Sequence, residues 1–207
     1  MALFITFEGG EGCGKSVQAR ALYRRLVKLA IPALLTHEPG GTAIGKRISQ
    51  CLKWAHSDIS PLSELLLFTA SRAQLIDEVI RPNLEKGTIV ICDRYTDSTI
   101  AYQSYGRGLD LETVKTINNA ATRGLKPNLT ILLNISAEEG LARKKGRKQD
   151  RFEQENIAFH RRVRGGYLKL AAAEPERWLI INATQSKEEI AQIIWQRVSE
   201  LLSSQHG

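Results

Sequence analysis

Eight consecutive residues, Gly9, Gly10, Glu11, Gly12, Cys13, Gly14, Lys15 and Ser16, match the spacing GxxxxGKS. Glycines in such a run let backbone N–H groups converge on phosphate oxygens. The lysine of the pattern reaches the β- and γ-phosphates, and the hydroxyl serves Mg²⁺, an ion that prefers oxygen ligands. All eight are therefore expected to bind ATP, with Lys15 also catalytic and Ser16 also a metal ligand. At Cys13 the turn asks only for a small residue. A second acid stands in IVICDRY: Asp93 is expected at the carboxyl end of a strand, where it would help Ser16 hold the Mg²⁺ hydration shell. Motors and helicases usually carry another acid directly after this aspartate to prepare water, whereas here Arg94 follows, a guanidinium fork suited to a second phosphate. Transfer to an acceptor is favoured over hydrolysis. No NKxD-type element lies in or around LTILLNIS, which argues against a guanine-nucleotide switch.

The run RKKGRKQDR at 143–151 is densely cationic with a central glycine. Alone it reads as a solvated face or a nucleic-acid patch. Beside a phosphate-binding loop it reads as a lid, with Arg143, Arg147 and Arg151 as catalytic donors to the transferred phosphoryl group and Lys148 as a further candidate. An arginine delivered there is worth about three to five decades in rate.

These groups need a frame that brings strand ends together. Short apolar, β-branched runs at 3–7, 33–36, 88–92, 129–135 and 178–182 suit strands covered on both faces. Helical stretches are expected at about 15–30, 44–54, 61–85, 111–122, 137–145, 152–173 and 187–202. This βαβα alternation predicts an α/β P-loop NTPase fold: a five-stranded parallel sheet with helices on both faces, joined by right-handed crossovers. The stretch from Leu62 carries two apolar stripes, one through Leu62, Leu65, Leu66, Ala73, Ile76 and Ile80, the other through Phe68, Leu75 and Val79, so a partner chain is plausible. One domain over 1–207 is expected, with the lid at about 143–152.

The formal charge of +7 is compatible with nucleic acid, anionic lipid or a polyanionic small substrate. The three cysteines are far apart and form no CxxC pair, which suggests neither disulfides nor zinc and points to a reducing cytosol. The opening MALFITFEGG has no basic n-region and too short an apolar run for a signal peptide or a membrane span.

Taken in order, FEGGEGCGKS, THEPGGT, LLLFTASRAQ, DRYTDSTIAYQSYGRGL and DRFEQE resemble the thymidylate kinase family of the bacterial type, essentially end to end. The resemblance implies a nucleoside monophosphate kinase that moves the γ-phosphoryl of Mg·ATP to dTMP, giving dTDP and ADP in dTTP biosynthesis. It also implies a cytoplasmic homodimer acting on ATP and dTMP, without nucleic-acid or membrane partners. Phe68 then resembles the aromatic that stacks on thymine, and Arg72 the arginine that bonds the thymine carbonyl. Gln103 is placed like the contact to the base edge, and Tyr102 like the ring that crowds the sugar C2′. Ser98 lies near the base, Glu11 matches the acid at the acceptor 3′-hydroxyl, and Arg94 matches the arginine on the dTMP phosphate. Glu38 of the EPGG motif belongs to the same dTMP site. The eukaryotic type carries an arginine in the loop where this chain has Gly12.

Two positions depart from the pattern. His37 replaces the arginine of the usual TREPGG, and Ser49 stands where relatives commonly have a phosphate-contacting arginine, with Arg47 a nearby substitute. Three rivals follow: a kinase for another acceptor such as dUMP or dCMP, a nucleic-acid-stimulated ATPase, and a catalytically weakened nucleotide-binding scaffold.

Overall fold

The computed structural model of the chain describes residues 2–55, 57–146 and 148–203. Five strands, β1 (Phe4–Glu8), β2 (Ala33–His37), β3 (Ile89–Asp93), β4 (Leu129–Asn134) and β5 (Trp178–Asn182), form one sheet in the order β2-β3-β1-β4-β5. Every pairing is parallel, as the strand–helix alternation predicts. The central strands are apolar throughout because both of their faces are covered. Ile5 and Phe7 of β1, Ile89 and Ile91 of β3 and Ile131 of β4 pack with α1 (Lys15–Lys28) and α9 (Lys187–Ser203). Phe4, Val90 and Cys92 alternate to the other face, against Leu75, Ile76, Ile80 and Tyr95. β1 and β3 are neighbours with Phe7 paired to Asp93, so their carboxyl ends deliver the glycine loop and Asp93 to one edge of the sheet.

Helix α2 (Ala43–Trp54) begins at Thr42, whose hydroxyl accepts from the Gly45 N–H, and α3 (Pro61–Leu75) begins at Ser60 with Pro61 in its first turn. The stretch expected at 61–85 is continuous, but a π turn at Ile76–Ile80 separates α3 from α4 (Arg81–Glu85). Its first apolar stripe divides: Leu65, Ile76 and Ile80 are buried, whereas Leu62 and Leu66 stay 49% and 50% exposed.

Three boundaries differ from expectation. Residues 96–106, not expected to be helical, form α5 (Thr96–Thr99) continued by a π segment, Ile100–Gly106. Thr, Ser, Ile and Tyr are indifferent helix formers, and burial of Ile100, Ala101 and Tyr102 among α3, α6 (Leu111–Thr122) and α8 (Ile157–Ala173) supplies the stability instead. α7 (Ala137–Ala142) stops short of the expected 145, and 143–146 is a turn. α8 starts at Ile157, not 152, because the Asn156 side chain accepts from the Phe159 N–H at 2.9 Å and sets the first turn there. Most of DRFEQE is therefore turn. No helix among the described residues is long and apolar enough to cross a membrane.

Candidate active site

The glycine run bends around the N-terminus of α1. Gly9, Gly12 and Gly14 have φ of 139°, 68° and 98°, values that L side chains rarely adopt. A Cβ on Gly12 would lie 1.9 Å from the Gly140 carbonyl oxygen, and one on Gly140 would lie 2.3 Å from that of Glu11. The loop and α7 thus meet backbone to backbone. The Lys15 ammonium donates to the carbonyls of Gly9 at 2.9 Å and Gly10 at 2.7 Å. Ser16 Oγ donates to the Asp93 carboxylate. A hydroxyl beside a carboxylate is the hard-oxygen donor set that fits Mg²⁺, which keeps most of its waters and shares itself with phosphates. No group of three or more His, Cys, Asp or Glu gathers among the described residues.

From Lys15 and Ser16 one cavity of about 670 Å³ runs past Arg94 to Phe68, Arg72 and Gln103. Arg94 stands at its middle with a left-handed φ of 73°, strained for a side chain of this size. Its guanidinium donates to Gly9 O (3.2 Å), Ser98 Oγ (3.1 Å), Tyr167 OH (3.3 Å), Tyr102 OH (3.2 Å) and Glu11 Oε1 (2.6 Å). Glu11 also accepts from Tyr102 OH at 2.7 Å and from Lys144 at 3.4 Å. Burial acts to raise the Glu11 pKa, but Arg94, Lys15 and Lys144 outweigh it and hold the carboxyl well below the usual range. Beneath lies Glu8, which accepts from the Tyr95 N–H, Ser98 Oγ and Tyr167 OH at 2.8, 2.6 and 3.0 Å. Burial, with Asp97 next, pushes the Glu8 carboxyl up to about 7. The Ser98 hydroxyl, expected near the base, is thus committed to supporting Arg94.

The far wall is held by Arg72. Its Nε donates to Glu38 Oε2 at 2.7 Å, Nη1 to Asn118 Oδ1 at 2.6 Å, and Nη2 to Tyr95 O at 3.0 Å and Thr99 Oγ1 at 2.9 Å. Among the described residues four of its five N–H groups are used, leaving one on Nη1. Burial raises the Glu38 pKa against the pull of Arg72, and Glu38 Oε1 has no hydrogen-bond partner among the described residues. The Phe68 ring packs against Phe152 at 5.6 Å, and Tyr102 packs against Phe152 at 6.1 Å. Gln103 donates from Nε2 to Glu64 at 2.7 Å.

The basic run does not act as a block. Arg143 lines the cavity and donates to Ala183 O at 3.0 Å, while Arg147 lies outside the described residues. Lys148 sits over the Trp54 ring at 4.7 Å. Arg151, expected at the phosphates, instead donates to Leu52 O at 3.0 Å and to Glu64 at 2.5 Å. The fully buried Glu64 needs cations, and Arg151 and Arg107 supply them. Lys144, not singled out in the sequence, is the basic residue over the loop, paired with Glu11 and Glu153.

At the two departures the geometry supplies an answer. Burial holds the His37 imidazole below its ordinary value against Asp93, with Lys53 and Lys46 adding to the shift, so it carries little charge near pH 7. Arg47 is exposed and does not line the cavity, whereas Lys53, one helical turn beyond Ser49, does. Sequence reasoning also passed over Glu8, Glu64, Thr99, Asn118 and Tyr167. Glu8 and Thr99 carried a usable signal, their adjacency to Gly9 and Ser98; Glu64, Asn118 and Tyr167 act only through contacts distant in the chain.

The comparisons with known proteins agree with this geometry. The family model described as thymidylate kinase matches residues 7–194. A thymidylate kinase of Dehalococcoides mccartyi is 59% identical over 203 residues, covering 98% of each chain. One of Roseiflexus sp. is 49% identical over 218 residues, covering 99% of this chain and 96% of its own. The crystal structure of thymidylate kinase from Ehrlichia chaffeensis superposes with a TM-score of 0.79 at 30% identity, covering 95% of this chain and 98% of that one. Matched by the family model over nearly its whole length and 59% identical to one of the family's kinases, the chain belongs to the thymidylate kinase family.

Proposed function

We propose that this protein transfers the γ-phosphoryl group of Mg·ATP to dTMP, giving dTDP and ADP, a step in dTTP biosynthesis. The observation that carries the reading is the single cavity running from Lys15 and Ser16 to Phe68, Arg72 and Gln103, with Arg94 between its ends. Two nucleotides bound at those ends would bring their phosphates together at Arg94. Phosphoryl transfer needs this alignment and charge neutralisation more than it needs covalent chemistry.

The loop from Gly9 to Ser16 binds the ATP phosphates, and Lys15 moves from its loop carbonyls to their oxygens. Ser16 and Asp93 would hold Mg²⁺, which when bound neutralises phosphate charge. Arg94 binds the dTMP phosphate, and Glu11 with Tyr102 faces the acceptor sugar. Phe68 stacks on the base, Arg72 offers its remaining N–H to the thymine carbonyl, and Gln103 meets the base edge. Glu38 offers its unpartnered oxygen to the nucleotide, and Lys53 adds charge near the acceptor phosphate. Arg143 and Arg147, with Lys144, stabilise the charge of the transferred group. Lys144, Lys148 and Arg151 are engaged within the chain, which supports this reading over a nucleic-acid patch. The half-exposed Leu62 and Leu66 of α3 support a homodimer, and the free thiols of Cys13, Cys51 and Cys92 accord with a cytoplasmic location.

An ADP-release assay with Mg·ATP and each of dTMP, dUMP, dCMP, dGMP, dAMP or buffer tests this. A strong preference for dTMP is expected. Equal ADP release in every well, buffer included, would mean an ATPase and sink the kinase reading.

A further inference from the structure

Gln103 is 1% exposed and sits on the cavity wall, yet a side-chain amide has no fixed polarity of its own. Its terminal torsion is broad and roughly two-fold, so a half-turn exchanges an acceptor for a donor at little intrinsic cost. Discrimination between thymine and cytosine depends on that choice. Thymine offers an N3–H donor beside a carbonyl acceptor, whereas cytosine offers an N3 lone pair beside an amino donor. An unheld glutamine would serve either base.

The structure holds it. Glu64 is fully buried, and its two oxygens meet four N–H donors. Oε1 accepts from Gln103 Nε2 at 2.7 Å and Arg107 Nε at 3.2 Å, and Oε2 accepts from Arg107 Nη2 at 3.2 Å and Arg151 Nη2 at 2.5 Å. An ionised carboxylate accepts and never donates. The Gln103 amino group must therefore face Glu64, because the flipped amide would set oxygen against oxygen in a buried place. That leaves the Gln103 carbonyl as the group offered to the cavity, whose lining it shares with Arg72.

We propose that Glu64 is a positioning residue for base selectivity: by accepting from Gln103 Nε2 it locks the amide with its oxygen toward the nucleotide, so the wall accepts N3–H of a 4-keto pyrimidine and rejects the N3 lone pair of cytosine. This rests on the assignment of the cavity to a pyrimidine nucleotide. The bland alternative is that Glu64 only neutralises Arg107 and Arg151.

Calorimetric titration with dTMP and with dCMP separates the two. Glu64→Gln frees the amide to turn, and the affinity ratio of dTMP to dCMP should fall at least about tenfold. Arg107→Met loosens the same cluster but leaves the carboxylate facing Gln103, and should keep the ratio within about twofold. In a Gln103→Met background, Glu64→Gln should change the ratio no further, because Glu64 acts through that amide. A folded Glu64→Gln protein that keeps the wild-type ratio overturns the proposal, and so does an undiminished effect in the Gln103→Met background. Wild-type protein that binds both nucleotides alike would likewise overturn the proposal, whereas wild-type protein that binds neither would overturn the pyrimidine-site reading itself. Should Glu64→Gln fail to fold, wild-type protein labelled with ¹⁵N-glutamine decides: the Gln103 NH₂ protons should stay protected from exchange with and without dTMP, and direct contact of those protons with the base would overturn the proposal.

Discussion

Lys15 is held by carbonyls five and six residues before it, whereas Arg72 is held by Glu38, Tyr95, Thr99 and Asn118, 23 to 46 residues away. The first region is a short stretch of backbone whose conformation is set by its own glycines and by the helix that follows. The second is a set of buried charges drawn from several elements, none of which is satisfied until the fold is complete. The phosphate end should therefore fail in catalysis when altered, and the acceptor end should fail in stability and selectivity together.

The largest expected effect is catalytic. Lys15→Ala should lower kcat by about 10³-fold while thermal unfolding stays cooperative, because that ammonium bonds to Gly9, Gly10 and Cys13 of its own loop. Near-normal turnover in the ADP-release assay would break the comparison at its first term. Arg72→Ala should do the opposite. Removing the guanidinium leaves Glu38 buried without its cation, at a cost of about 3 kcal/mol, or about 10 °C in Tm by calorimetry. An unchanged Tm would show that the wall does not depend on that pair. Smaller is the effect of Lys53→Ala, which should raise KM for dTMP about tenfold and leave KM for ATP alone. Arg47→Ala, on the exposed side of α2, should change neither. The last effect is a slope. Folding lifts the Glu8 pKa from 4.5 to about 7, so the folded chain holds a proton the unfolded chain has released between those values. The Glu8 contribution to stability should be fullest below about pH 4.5 and be lost as pH rises through about 7. Glu8→Gln should flatten that decline in chemical denaturation midpoints measured across the window, and an equally steep decline in the variant would assign it to another group.

The same contrast governs what could be read from the amino acids. The glycine run, the five strands and their parallel direction, and Asp93 beside Ser16 were legible because periodicity and local spacing encode them. The helical path of 96–106 was not, since its residues favour helix weakly and are held by burial against α3, α6 and α8. Arg143, Lys148 and Arg151 look alike in sequence, yet one lines the cavity, one rests on Trp54 and one serves Glu64. Their different destinations follow from where unpaired acids and aromatic faces lie in three dimensions. Lys144 was hidden among equals for the same reason. The residues of the acceptor wall were legible only through the family resemblance, and the partners that orient them carried no local pattern at all.

The close meeting of Gly12 with Gly140 also bears on evolutionary history. A side chain at position 12 would need both a left-handed backbone and space already occupied by a carbonyl 1.9 Å away. An arginine of the eukaryotic type cannot enter this loop until α7 has moved. Carrying the positive charge on the loop or in the lid are thus alternatives that one substitution does not connect, and a lineage passing between them must remodel the neighbouring helix before the new charge has anywhere to stand.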